Sequence, residues 1–491
     1  MKITRVIYIF VIAVLTGIFS GCSDWLDYTP KDKSTADQQF ASREGFYGAV
    51  NGVYNRIISS TLYGSNLTYG MLDVMAKRYV AGTDVQSSYY KWANYNYTDT
   101  DVSLTLSNIW SEVYATILNI NVILGYLDKQ DGILSQDDVN LIKGDLLALR
   151  GFLHFDMLRL FGPVYSRNSE GKSIPYNNSE IVQAYEVLPA KSVIYDYLIP
   201  DLNEAENCLL EADPVLTEGV LSENNENGDN YMRYRQLRLN YYAVALLKAR
   251  AYLWAGDMTN ALTEARKITD DVKAKQFFPF VNSDKLLGNT YDPDRVFSSE
   301  ILFGFYYSNR DYIYTTYFDG VNLVNSPSLL QPRATYIDKE LYTTEGDYRR
   351  QSQWSTYGNM FNFVKYKAIS YEDEIPFYAF FMPLMHVSEA YYIASEALLN
   401  TDLVKARYYL NEVLKARGIP ELGESADANQ VSTELKMEYM RETWGEGQIF
   451  YMFKRNYMNI SGSYNGDNSS TVNASDERYV LPLPTSEQEN R

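Results

Sequence analysis

The sequence predicts a mainly α fold: a single domain of stacked helix pairs, an α-α superhelix, carrying an irregular loop-rich face with short strands. Three observations lead there. Residues 237–269 read as two helices folded back on each other, and a matching stretch recurs farther on. Between the two, about 277–375, helical periodicity fades while Tyr, Asn, Asp and Gly accumulate. No linker divides the chain, although its length would permit two or three domains.

In the first stretch, Leu239, Tyr242, Leu246, Ala249 and Leu253 follow the three-and-four spacing that lines one helical face. Gly256 is a poor helix-interior residue and Asp257 a good helix start, so the run breaks there. Ala261, Ala265 and Ile268 form a second stripe. Two short helices cannot each bury a face alone, so others must stack on them. The pattern returns within residues 384–417, 145 positions on. Tyr242, Leu246, Ala249, Leu253, Asp257, Ala261, Ala265 and Ile268 correspond to Val387, Tyr391, Ala394, Leu398, Asp402, Ala406, Leu410 and Val413. The small pairs Ala249/Ala261 and Ala394/Ala406 mark where two backbones approach closely, the steric need behind the tetratricopeptide (TPR) pattern. Neither copy has that pattern's opening Trp or closing Pro, and the spacing is no multiple of its roughly 34-residue period. The repeats are degenerate and separated by insertions.

Taken in order, residues 1–21 join Lys2 and Arg5 to an uncharged apolar run and small residues before Cys22, which reads as a secretory signal peptide. Phe19-Ser20-Gly21-Cys22 resembles a bacterial lipobox, with Phe where Leu is commoner. Cys22 is then the lipidated first mature residue, multiply acylated because one acyl chain anchors only marginally. No other stretch reaches about 18 apolar residues, so nothing else is expected to span a membrane. Residues 22–41 read as a polar extended tether and 42–491 as the folded domain. Helices are expected at 42–58, 106–127, 137–161, stopped by Gly162-Pro163, and 192–212, with a kink or break at Pro200. Residues 218–230 read as an acidic surface loop.

Removing the leader takes away two cations and moves the net charge from −18 to −20. So acidic a surface argues against nucleic acid as partner. With Cys22 lipidated, Cys208 is left alone, no intrachain disulfide can form, and stability must come from a large core.

At this point the order of several stretches becomes informative. CSDWLDYTPKDKST follows the leader, then SREGFYGAVNGVYNRI, SNIWSEVYATILNINVIL and ALRGFLHFDMLRLFGPVY; SPSLLQPRATYIDKELYTTEGDYRR, the hairpin HVSEAYYIASEALLNTDLVKARYYLNEVLKARG, MEYMRETWGEGQIFYMFKRN and YVLPLPTSEQEN come later. The chain resembles the SusD/RagB family of outer-membrane nutrient-binding lipoproteins of Bacteroidetes, surface-exposed partners of TonB-dependent (SusC-like) transporters. His386 and Gln448 stand where the family commonly has Arg, which puts local ion pairs in question. The resemblance implies one α-rich domain with four TPR-like helix pairs as scaffold and an irregular ligand face. It also implies a lipid-anchored, cell-surface protein that captures a ligand and hands it to the transporter.

Catalysis has little support. The two histidines, His154 and His386, each lie in a helical run, with no metal-ligand spacing. There is no GxSxG elbow, P-loop or HExxH. No catalytic residue, metal or cofactor is expected.

The positive signal is aromatic: 45 Tyr, 21 Phe and 6 Trp, gathered in the nonhelical segments. Residues 89–97, YYKWANYNY, interleave flat rings with amides and hydroxyls, the mixture a sugar requires for its C–H faces and its hydroxyls. In the family, the loop ahead of the helix matching SNIWSEVYATI contributes to the ligand site. Trp92, Asn94 and Tyr95 therefore lead the expected ligand contacts, with Tyr90 beside them and Arg78 as a bidentate donor. Trp354, in a polar stretch, is a further candidate. In residues 305–318, Tyr312, Tyr314 and Phe318 alternate as a strand face would, and packing is their expected role. The function expected is oligosaccharide capture and delivery to the transporter. A peptide- or other nutrient-binding member of the same family, a surface glycoside hydrolase and a purely structural TPR-like assembly protein are the alternatives.

Overall fold

The computed structural model describes residues 31–80, 86–223, 230–288, 293–324, 326–358, 360–369, 375–462 and 471–489. The leader and Cys22 lie outside them. The chain forms two compact units, Met1–Ala49 and Val50–Arg491. In the first, residues expected as an extended tether are helical over α1 (Lys31–Gln39). Helix α2 (Arg43–Ile57) follows, its start capped by the Ser42 hydroxyl, which accepts from the Gly45 N–H at 3.1 Å. Phe40 and Phe46 pack ring on ring, 4.9 Å between centroids.

The second unit begins within α2, at Val50, and continues with a tightly turned segment, 58–70, and two short helices, α3 (Met71–Met75) and α4 (Ser88–Ala93). Two long helices follow. In α5 (Thr100–Leu127) Asp99 caps the start by accepting from the Asp101 N–H at 3.0 Å. In α6 (Gln136–Phe161) Ser135 does the same for Asp138 at 3.1 Å. Helix α6 is buried on almost every side and packs lengthwise on α7 (Ile199–Ala212). Gly144 and Gly151 permit that approach: a Cβ on Gly144 would stand 2.6 Å from Leu209 Cγ, and one on Gly151 3.0 Å from Leu202 Cδ2. At Pro200 the expected break takes the form of a π-helical turn, Val193–Leu198, leading into α7. A proline lacks the N–H that an uninterrupted α ladder requires, and the wider turn accommodates it.

The hairpin α8 (Tyr241–Trp254) and α9 (Met258–Thr269) turns through Gly256 at φ 76°, a left-handed conformation that glycine adopts without strain. Asp257 caps α9 through the Asn260 N–H at 3.1 Å. Its echo is α10 (Val387–Leu398) and α11 (Leu403–Ala416), where Asp402 caps through the Lys405 N–H at the same 3.1 Å. Ala249, Ala261, Ala394 and Ala406 are wholly buried, and α9 packs on α10, so the two hairpins stack directly on each other. Helices α12 (Ala428–Glu442) and α13 (Gln448–Arg455) continue the array.

Between the hairpins lie β1 (Ile301–Tyr306) and the ribbon β2 (Trp354–Tyr357) and β3 (Met360–Phe363). Strand β1 pairs antiparallel with β4 (Phe381–His386), which leads straight into α10 and fastens the insert to the scaffold. The alternation of Tyr312, Tyr314 and Phe318 does not make a strand. These residues form a short helix, Arg310–Ile313, and a π-helical turn, Tyr314–Phe318. Arg310 fixes this conformation from within, donating to the carbonyls of Tyr378 at 2.6 Å and Phe381 at 3.2 Å.

Much of the aromatic excess has a structural use, as expected for Phe318. Tyr79, Phe318, Trp354, Phe363, Tyr366 and Trp444 are buried and pair ring to ring, giving the nonhelical segments an aromatic core of their own.

Candidate functional site

A cleft of about 650 Å³ opens within the second unit. Four segments build it. The turn-rich stretch 58–70 is locked by its own hydrogen bonds, among them Tyr69 Oη to the Gly64 carbonyl at 2.9 Å and the Gly70 N–H to the Ser65 carbonyl at 2.9 Å. It presents Ser60, Thr61, Ser65 and Asn66 to the cleft. The Asn66 Nδ2 donates to the Thr61 carbonyl at 3.2 Å, which leaves its Oδ1 for a ligand donor.

The second segment runs through α4. Tyr89 and Trp92 are three apart on one turn of helix and therefore share a face, and both line the cleft. Trp92 forms its floor and is 3% exposed, with Tyr97 6.3 Å behind it. Tyr89 is half-buried, and burial raises its hydroxyl pKa, so it stays protonated at neutral pH. Thr105 and Asn108 come from α5, one turn apart. The exposed Asn108 carboxamide has no hydrogen-bond partner among the described residues. The fourth segment supplies Tyr317, Pro327 and Ser328. Tyr317 leans on Tyr69, 5.3 Å between ring centroids, which holds the ring at the cleft edge.

Rings, Met71 and Pro327 thus share one concave surface with hydroxyls and carboxamides. Such a surface suits a ligand with apolar faces and hydroxylated edges. Among the described residues no group of three or more His, Cys, Asp or Glu is placed to hold a metal ion.

Of the expected contacts, only Trp92 reaches the cleft. Tyr90, Asn94 and Tyr95 lie on other sides of α4 and its C-terminal turn. Asn94 Nδ2 closes the helix end by donating to the Tyr90 carbonyl at 2.8 Å. Tyr95, in the left-handed region at φ 55°, sends its hydroxyl to the Met75 carbonyl at 2.8 Å. Arg78 is fully buried rather than ligand-facing: it donates to the Ala76 carbonyl at 3.0 Å, to Tyr336 Oη at 2.8 Å and to the Ser461 carbonyl, against the rings of Trp444 and Phe453. Trp354 is 4% exposed and belongs to the aromatic core, its Nε1 donating to Tyr342 Oη at 3.4 Å. Both correct an expectation, for Arg78 from its place upstream of the aromatic run and for Trp354 from its polar stretch, neither of which reports burial. Sequence reasoning did not single out Tyr89, Tyr317 or the hydroxyl wall. A helical reading of 88–93 would have put Tyr89 with Trp92; nothing local marks Tyr317, which enters by tertiary contact.

The two histidines are structural. The Asn177 N–H donates to His154 Nε2 at 2.9 Å, so the ring proton is on Nδ1 and goes to the Arg150 carbonyl at 2.9 Å. Burial lowers the pKa of His154 to about 3 and keeps it neutral. His386 Nε2 meets Glu446 at 2.9 Å, beside Lys365 Nζ at 2.5 Å. Burial would raise the Glu446 carboxyl, but His386 and Lys365 outweigh it and hold the group below its ordinary value. Gln448 accepts from Arg159 Nη1 at 3.0 Å, so both unusual positions keep polar partners.

Comparison with known proteins agrees with this architecture. Residues 24–206 match the family model SusD-like_3, described as starch-binding associating with outer membrane. Among solved structures, the chain is similar to a SusD-like carbohydrate-binding protein from Bacteroides vulgatus, at 19% identity and TM-score 0.68 over 91% of this chain and 96% of the other. A SusD superfamily protein from Bacteroides thetaiotaomicron matches at 20% identity and TM-score 0.68, over 91% and 98%. The surface glycan-binding protein A of Bacteroides fluxus matches at 17% identity and TM-score 0.64, over 91% and 97%. At these identities the likeness establishes the fold. No curated protein matches the chain.

Proposed function

We propose that the chain is a SusD/RagB-like family member that binds an oligosaccharide in the cleft and passes it, chemically unchanged, to a TonB-dependent outer-membrane transporter. The observation that carries this reading is the pairing, on one concave surface, of Tyr89, Trp92 and Tyr317 with the hydroxyl and amide groups of Asn66, Thr105, Asn108 and Ser328. The family description and the carbohydrate- and glycan-binding neighbours support it. If each stacked ring contributes about 1 kcal/mol, three rings and a few hydrogen bonds give affinities in roughly the millimolar to micromolar range. Weak capture suits a protein that must release its ligand to a partner.

In the same reading the protein is held at the cell surface by lipid on Cys22. No helix among the described residues is long and apolar enough to cross a membrane. Cys22→Ser should leave the protein unlipidated. Unchanged membrane retention in cells lacking the transporter would refute the anchor.

Titration of the mature chain with a panel of oligosaccharides tests the ligand class. Binding that weakens at least about fivefold in Tyr89→Ala, with the fold intact by circular dichroism, supports the reading. Binding of peptide pools in place of any glycan would replace it with the peptide-binding alternative, and release of reducing ends from a polysaccharide would replace it with a hydrolase.

A further inference from the structure

We infer that the cleft selects uncharged oligosaccharides and discriminates against uronate- or sulfate-bearing ones; this deepens the glycan reading and rests on it. The ground is the charge content of every segment that builds the site. Residues 58–76, 100–127 and 314–330 contain no Lys or Arg at all. The stretches beside the lining segments that fall outside the described residues, 81–85 and 325, read Ala-Gly-Thr-Asp-Val and Asn, so they add no cation either.

The bases nearest residues 58–76 and Trp92 in sequence are committed elsewhere. Lys91 adjoins Trp92 but forms ion pairs with Asp99 at 3.0 Å and Asp101 at 2.9 Å. Lys77 turns inward to the Ala93 carbonyl and the Tyr95 ring, and Arg78 is enclosed. Arg56 pairs with Glu112 at 2.9 Å. No carboxylate lines the cleft among the described residues, so neither sign of charge is awaited there. An anionic sugar would lose hydration on entering without gaining a counter-ion. It would also approach through the field of a chain with net charge −18 before leader removal, which repels it at long range.

What the wall offers instead is neutral and directional. The Asn66 Oδ1 accepts, the Asn108 carboxamide both donates and accepts, and the hydroxyls of Thr61, Ser65 and Ser328 do either. That inventory complements sugar hydroxyls and leaves a carboxylate with only neutral donors, which are about half as strong as charge-assisted ones.

The test is calorimetric titration of the full mature chain, at moderate salt, with malto-, cello- and xylo-hexaose as uncharged probes and with hexagalacturonate and a chondroitin sulfate hexasaccharide as anionic ones. The expected result is that at least one uncharged probe binds and the anionic probes bind about tenfold more weakly than it or worse. Asn108→Lys, at an exposed position, should gain at least about fivefold in affinity for hexagalacturonate. An anionic probe that binds as tightly as the best uncharged one, or more tightly, overturns the charge selection while leaving glycan capture standing. Failure of every saccharide, with peptide pools binding instead, overturns the glycan reading itself.

Discussion

Two regions of the second unit use polar groups in opposite ways. Where the loop-rich insert meets the helix array, charges are buried and matched: Arg349 contacts Asp347 at 2.8 Å, Glu438 at 2.6 Å and Glu442 at 2.9 Å, while Arg417 contacts Glu300 at 2.6 Å and also Glu442. Burial alone would raise the Glu442 carboxyl, but Arg417 and Arg349 outweigh it and hold it far below the ordinary carboxylate range. In the cleft the lining is neutral among the described residues, and groups such as the Asn108 amide have no protein partner among them. The first arrangement specifies how the insert docks, because each buried charge tolerates only one geometry. The second leaves hydrogen-bonding capacity for a ligand. Scaffold and site are thus distinguished by whether polar groups are already satisfied.

The comparison breaks most visibly at Arg349. Arg349→Leu leaves three carboxylates facing each other, with Arg417 and Arg441 as remaining counter-ions, and should cost about 3–5 kcal/mol in urea denaturation. A loss below about 1 kcal/mol would mean that the network contributes little.

Next comes Trp92, which belongs partly to both regions. Trp92→Ala removes a ring that is 3% exposed, so a loss of about 3–5 kcal/mol is expected alongside lost glycan binding. Wild-type stability with binding abolished would show instead that the ring serves only the ligand.

A pH experiment sharpens the contrast at α3, where Asp73 is buried and accepts from the Gly445 N–H at 2.7 Å. Burial raises its pKa from 3.8 to about 7, against the opposing pull of that hydrogen bond and of Arg78. A carboxyl raised on folding makes the folded state bind the extra proton between those two values. Its contribution therefore falls as pH rises from about 4 to about 7 and is constant above that. Relative to wild type, Asp73→Asn should gain stability progressively across this window. A difference that does not vary with pH would refute the assignment.

The smallest effect belongs to the surface. Arg56→Ala removes a pair with Glu112 whose side chains are 36% and 39% exposed, and should change stability by about 0–1 kcal/mol.

Much of the scaffold was legible because its signals are local. Helical spacing, the break at Gly256-Asp257 and the equivalent caps Asp257 and Asp402 are each contained within a few residues. The departure at Pro200 was legible for the same reason, although the π-helical form it takes was not. The site was less legible. Trp92, which lines the cleft, was singled out because it stands in a run of rings and amides, yet the same run led to Tyr90, Asn94 and Tyr95, which do not line it. Arg78 and Trp354 show the limit of local context: Arg78 is enclosed by Tyr336, Trp444 and Phe453, hundreds of positions away, and Trp354, in a polar stretch of sequence, packs on Phe363 and Trp444.

By itself, then, the sequence determined the helix-pair architecture, the duplicated hairpin and the absence of any base from three of the four segments that form the cleft. These follow from periodicity, capping chemistry and composition. Tertiary structure decided which rings became core and which faced outward, that Tyr317 and Ser328 would join Tyr89 across one surface, and that His386 would pair with Glu446. Those outcomes depend on long-range packing, in which a residue's burial is set by partners remote in the chain rather than by its neighbours.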